Sequence, residues 1–245
     1  MFMSKSKCLI FCHGWGGTVN FWNNLKPYFS NDLINQQLNI SNICYLDLGY
    51  FNDNNIKLPE NILNNPNLEL FAIGHSLGLI KLLKLNLNFK GFIGLQGFIN
   101  FLGNDKQLSS KRTQELFSLI KQFRKNPIDT LKRFYQFIEI NFEFKPQYAN
   151  LNQSKLLEDL YLLMEINNET DLINMNIMNM QGLIIGAQND IIVPPALIFD
   201  NFAAYNNVKI NMLPTGEHGL GYKQPNIIYQ HIIDFLYAVL KKHEQ

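Results

Sequence analysis

Apolar residues in this chain fall first into short, nearly unbroken runs separated by polar, turn-forming stretches. Runs at 7–12, 43–48, 68–75, 89–98, 181–187 and 208–213 predict six strands. Continuous apolar character over so few residues belongs to strands buried on both faces. Between them the spacing turns helical at 21–29 (with Pro27 as a distortion), at 79–87 and at 227–242. The polar stretch 49–67 carries Pro59 and Pro66 and has room for only a short helix. Alternating strands and helices predict an α/β fold, a doubly wound, mostly parallel sheet. From about residue 104 to 178 the alternation stops, and helical spacing returns at 113–125, 128–140 and 154–166. The expected organisation is a core of residues 1–103 and 179–245, interrupted by a helical lid insertion at 104–178. No internal repeat or low-complexity linker divides the chain.

Composition narrows the class. The 245 residues are 47% hydrophobic and 17% charged, with a net charge of +1. Such a chain folds, and it carries no global field suited to nucleic acid or a membrane surface. No apolar run approaches the ~18 residues of a membrane span. The run at 8–12 is too short for a signal peptide and leads straight into a glycine-rich loop. A soluble, cytoplasmic, monomeric protein is expected. Cys8, Cys12 and Cys44 all lie on expected strands, and an odd count suits buried free thiols. No metal-ligand spacing is present, and neither a metal nor a cofactor is expected.

The chemistry centres on Gly74-His75-Ser76-Leu77-Gly78, set between an apolar strand and a run of helix formers. The G-x-S-x-G spacing suits a serine on a sharp strand-to-helix turn. Side chains at the two flanking positions would collide with neighbouring strand and helix. Two later loops supply a base and an acid. Asp190 follows the strand at 181–187, and His218 follows the strand at 208–213. Both loops fall at the carboxyl ends of parallel strands, the edge on which Ser76 lies. Ser76, Asp190 and His218 therefore form a candidate triad in the order Ser–Asp–His. Asp47, also after a strand, is the alternative acid. His75 is expected to point away and pack; His231 and His243 lie in the last helix, structural or exposed. For an oxyanion hole the candidate N–H donors are Leu77, after the nucleophile, and Trp15 in His13-Gly14-Trp15-Gly16.

These motifs resemble the α/β-hydrolase superfamily over nearly the whole chain. Within it, the H-G-W-G loop followed by Phe21-Trp22, the S-L-G turn, Asp190-x-x-Val193-Pro194, the His218 loop, and Phe117 with Thr130-Leu131-Lys132-Arg133-Phe134 resemble the pimeloyl-acyl-carrier-protein methyl ester esterases of biotin synthesis. Two stretches depart from that family: Gly49-Tyr50-Phe51-Asn52-Asp53 replaces a proline- and glycine-rich loop, and the turn continues G-H-S-L-G-L without a second glycine. The resemblance implies a serine carboxylesterase and an acyl-carrier-protein partner. The charge of the insertion's first stretch fits such a partner. All three arginines, Arg112, Arg124 and Arg133, lie between residues 112 and 133, and over residues 105–133 they and Lys106, Lys111, Lys121, Lys125 and Lys132 stand against Asp105, Glu115 and Asp129. Arginine suits phosphate and carboxylate. Arg112, Phe117, Lys121, Arg124 and Arg133 are thus the candidate substrate-binding residues. Phe123, Phe134, Phe137, Phe142, Phe144 and Tyr148 are further candidates for an acyl channel or for core packing. Alternatives are a general short-chain ester, thioester or C–C bond hydrolase, and a non-catalytic binding module.

Overall fold

A computed structural model of the chain describes residues 5–30, 32–51, 58–138, 148–165 and 170–243. Six strands form one sheet: β1 (Ser6–Cys12), β2 (Ile40–Leu46), β3 (Leu68–His75), β4 (Phe89–Leu95), β5 (Gln181–Ala187) and β6 (Val208–Leu213). Their order is β2-β1-β3-β4-β5-β6 and every pair is parallel. The inner strands are buried almost throughout, whereas β2 and β6 at the edges are largely half-buried. Helices on both faces of a parallel sheet leave the inner strands no solvent side, hence their unbroken apolar runs.

The chain leaves β1 for β2 on one side and then crosses to β3 on the other. The winding direction reverses there, and a crevice opens at the carboxyl ends of β1 and β3. Cys12 pairs with Gly74 in that register, so the loops after β1 and β3 emerge side by side.

Helices α1 (Asp32–Leu38), α2 (Glu60–Leu63), α3 (Leu77–Leu83), α4 (Lys106–Lys125), α5 (Pro127–Phe137), α6 (Gln153–Glu165), α7 (Thr170–Met178), α8 (Pro195–Phe202), α9 (Leu220–Lys223) and α10 (Pro225–His243) complete the described residues. The helix expected at 21–29 is instead two short 3-10 turns, Val19–Trp22 and Lys26–Ser30, the second carrying Pro27, which has no N–H to continue a helix. Four helices, α4–α7, follow β4 before the chain returns to β5. Asn126 closes α4 through its N–H, bonded to the Gln122 oxygen, and opens α5 by accepting the Asp129 N–H ahead of Pro127.

This helical block is fastened to the loop after β2 and to α3 by polar bonds. Asp159 of α6 is buried and accepts from the Tyr50 hydroxyl at 2.5 Å and from Lys81 of α3. All three cysteines are free, and Cys8 and Cys44 face each other from neighbouring strands at 4.0 Å. Among the described residues no helix is long and apolar enough to cross a membrane.

Candidate functional site

Ser76 directly follows β3 and holds φ 54° and ψ −126°. A non-glycine residue keeps so unfavourable a conformation only where its surroundings over-determine it. Here its N–H bonds the Leu95 oxygen at 3.0 Å, and its oxygen accepts the Leu79 N–H at 3.1 Å. The flanking glycines are demanded by contact. A Cβ on Gly74 would lie 2.3 Å from the main chain of Leu79, and one on Gly78 would lie 2.3 Å from the Cys12 oxygen. Helix α3 turns back so tightly against β3 and β1 that no side chain fits at either position.

Asp190 and His218 meet on the same edge. The Nδ1 of His218 lies 2.9 Å from Oδ2 of Asp190, and both residues are buried. An ionised carboxylate can only accept, so Nδ1 carries the proton and Nε2 is left as the basic nitrogen. The other oxygen of Asp190 accepts the N–H groups of Ile192 and Val193, each at 2.9 Å. Gln96 also reaches the shared oxygen, its Nε2 donating to Oδ2 at 2.6 Å. Asp47 has different partners: it accepts the Gly49 N–H at 2.8 Å and stands 3.6 Å from His13. Burial pushes its carboxyl up, but His13 and the N–H groups of Gly49 and Val19 outweigh this and hold it below its usual value.

His75 corrects an expectation. It packs, with its ring stacked on Phe21 at 4.1 Å, but it also faces His218. Its Nε2 donates to the His218 main-chain oxygen at 2.8 Å, while Nδ1 is buried without a partner. Burial, then the nearby His218 ring, drive its pKa well below the usual histidine value. His231 is half-buried, its pKa lowered by burial; the side chain of His243 lies outside the described residues.

The loop after β1 packs on the serine turn, with Gly16 at φ 67°. No acceptor among the described residues takes the main-chain N–H of Trp15 or Leu77. Both residues line a cavity of about 870 Å³ together with Ser76, Asp190 and His218. Its remaining wall is mostly apolar and comes from α4, α5 and α6, including Leu116, Leu119, Phe134 and Leu160, and from the stretches after β4 and β5, including Phe98, Phe101 and Ile192. The size and character are those of a small-molecule pocket. Among the described residues no group of three His, Cys, Asp or Glu side chains is arranged for a metal.

The structure divides the five candidates on the helical block. Arg133 lines the cavity and is exposed, as is Lys111, so both stand at its rim. Arg112 also lines it but is buried, with Nε bonded to the Phe101 oxygen at 2.6 Å and Nη2 to the Ile192 oxygen at 2.7 Å. Burial lowers its pKa to about 10. Phe117, Lys121 and Arg124 do not line the cavity. Counting from Arg112 at about 100° per residue, they lie roughly 120–180° round α4. Phe117 is exposed on a separate groove, and Arg124 sits over the Tyr161 ring. Of the aromatic candidates, Phe134 and Phe137 line the cavity, whereas Phe123 is buried against Trp15. Tyr148 stands apart, near Phe51, and Phe142 and Phe144 lie outside the described residues.

The sequence pattern predicts neither the role of Gln96 nor the facing contact of His75 with His218. A signal existed for Gln96. It is a polar residue closing an apolar run at the carboxyl end of a parallel strand, as Asp190 does three residues after the end of β5.

The chain matches no family model and no curated protein. Its likeness to solved structures is extensive. An esterase from Exiguobacterium antarcticum aligns over 96% of this chain and 93% of its own, at 12% identity and a TM-score of 0.69. An epoxide hydrolase of Bacillus megaterium covers 96% and 95%, at 15% identity and a TM-score of 0.68. A lipase-esterase related protein from Clostridium acetobutylicum covers 95% and 96%, at 20% identity and a TM-score of 0.60. The parallel sheet flanked by helices is the α/β-hydrolase fold.

Proposed function

We propose that this chain is a serine carboxylesterase. The observation that carries the reading is the union of Ser76, in its strained turn, and the 2.9 Å His218–Asp190 pair on one cavity. Ser76 attacks the ester carbonyl, while His218 takes its proton and then protonates the departing alcohol. Asp190 holds the imidazole in the useful tautomer. The N–H groups of Trp15 and Leu77 receive the developing oxyanion. Water, activated by His218, then releases the acid from the acyl-enzyme. Esterases among the similar structures support this reading.

For the substrate we propose the methyl ester of a pimeloyl group on acyl-carrier protein, which water splits to methanol and the free carboxylate. Support comes from the motif resemblance, the apolar wall of the cavity, and Lys111 and Arg133 at its rim, where they face an anionic carrier. Arg112, spent on two carbonyls, is a structural contributor to that wall.

The test compares carrier-bound pimeloyl methyl ester with p-nitrophenyl butyrate, with Ser76 labelled by a fluorophosphonate. Labelling and turnover of both esters are expected, with Lys111→Glu/Arg133→Glu raising KM for the carrier-bound ester alone. Turnover of the small ester with no preference for the carrier-bound one leaves a general esterase. No labelling and no turnover overturns the enzyme reading and leaves a binding module.

A further inference from the structure

Gln96 bonds both the acid of the proposed site and the loop that carries its base. It is wholly buried and sits at φ 50° immediately after β4. Its main-chain N–H bonds the Ile185 oxygen of β5 at 2.7 Å, the strand that leads to Asp190. Its side chain uses every group it has. Nε2 donates to Oδ2 of Asp190 at 2.6 Å and to the Glu217 oxygen at 2.7 Å, and Oε1 accepts the Leu220 N–H at 3.2 Å.

These partners fix the orientation of the amide. A carboxylate and a carbonyl only accept and a main-chain N–H only donates, so nitrogen and oxygen cannot be exchanged. Glu217 and Leu220 bracket His218, and Oδ2 is the oxygen that receives the His218 N–H. One neutral side chain thus sets the acid's reacting oxygen and both shoulders of the histidine loop.

We propose that Gln96 is a positioning residue for hydrolysis, holding Oδ2 of Asp190 and the loop of His218 in mutual register. The proposal rests on the Ser76–His218–Asp190 reading. Gln96 does not line the cavity, so its effect reaches substrate only through those two side chains. A neutral donor is required there. A second carboxylate in its place would set like charges against Asp190 and favour the imidazolium form of His218, which cannot act as base.

Two variants test this with p-nitrophenyl butyrate. Gln96→Leu, which removes all three side-chain bonds, is expected to lower kcat by about tenfold or more with KM nearly unchanged, because only the positioning of the reacting groups is lost. Gln96→Glu keeps the shape and is expected to move the acidic limb of kcat/KM up by about one pH unit. A merely structural glutamine would cost thermal stability and leave that limb in place. If Gln96→Leu does not fold, Gln96→Glu decides alone: an unmoved limb overturns the proposal.

Fluorophosphonate labelling separates the two levels. Native protein that is neither labelled at Ser76 nor active overturns the triad reading and this inference with it. Native protein labelled at Ser76, with Gln96 variants labelled as fast and with the native pH profile, overturns the role of Gln96 alone.

Discussion

The indole N–H of Trp15 donates to the main-chain oxygen of Leu156, 2.9 Å away and 141 residues further along the chain. The loop after β1 is therefore held by α6 through a side chain, and the main-chain N–H of Trp15 is left to the cavity. Tyr135 of α5 grips the next residue, its hydroxyl donating to the Gly16 oxygen at 2.6 Å. The helical block thus holds the loop proposed to receive the oxyanion as well as lining the cavity.

Loosening that grip should slow chemistry on any ester. Trp15→Phe and Tyr135→Phe keep the main chain and most of the packing but each remove a buried hydrogen bond, worth about 0.5–1.5 kcal/mol. The double variant is expected to lower kcat on p-nitrophenyl butyrate more than it raises KM. An unchanged kcat would show that the loop keeps its shape without α5 and α6.

Ser76→Ala should remove hydrolysis by on the order of 10⁴-fold or more and leave the melting curve close to native. Retention of more than a few per cent of turnover in a clean preparation would rule out Ser76 as nucleophile.

Asp190→Asn and His218→Ala are expected to be severely impaired, and Asp47→Asn only mildly. Asp47 bonds the Gly49 N–H and neighbours His13, whereas Asp190 bonds His218. Steady-state rates decide between them: a dead Asp47→Asn enzyme with an active Asp190→Asn enzyme would reverse the assignment.

His75 should make the fold sensitive to mild acid. Its folded pKa is depressed well below the usual 6.5, chiefly by burial, so the unfolded chain binds a proton that the folded one refuses. Its contribution is fully present above about pH 6.5 and is lost as pH falls below it, by about 1.4 kcal/mol per pH unit until the folded pKa is reached. His231, also lowered by burial, adds to the slope in the same window. His75→Gln retains a donor for the His218 oxygen and cannot protonate. Urea titrations between pH 5 and 7 should show a shallower loss in the variant; parallel curves would mean that His75 is not the group responsible.

Local chemistry made much of this legible. Strands buried on both faces must be apolar at every position, so β1, β3, β4 and β5 stand out without any knowledge of their partners. The serine turn is equally local, since Gly74 and Gly78 answer to contacts made within a few residues or with the adjacent strand. Parallel strands place all their carboxyl ends on one edge, which is why Ser76, Asp190 and His218 could be grouped from chain order alone.

Other features depend on what the folded chain brings close. The helix α8 (PALIFDNF) is not legible in the sequence because eight residues, opening on an apolar run, are too few to display a period. The strand expected to run on to Phe98 stops at Leu95 because Gln96 turns away to meet Asp190 and the histidine loop, partners 94 and 121 residues distant. Charge along α4 marks a basic segment, but Arg112 is buried on two carbonyls while Lys121 and Arg124 face away from the cavity. One-dimensional composition records how many cations a helix has. Only the packing of its faces decides which of them a ligand can meet.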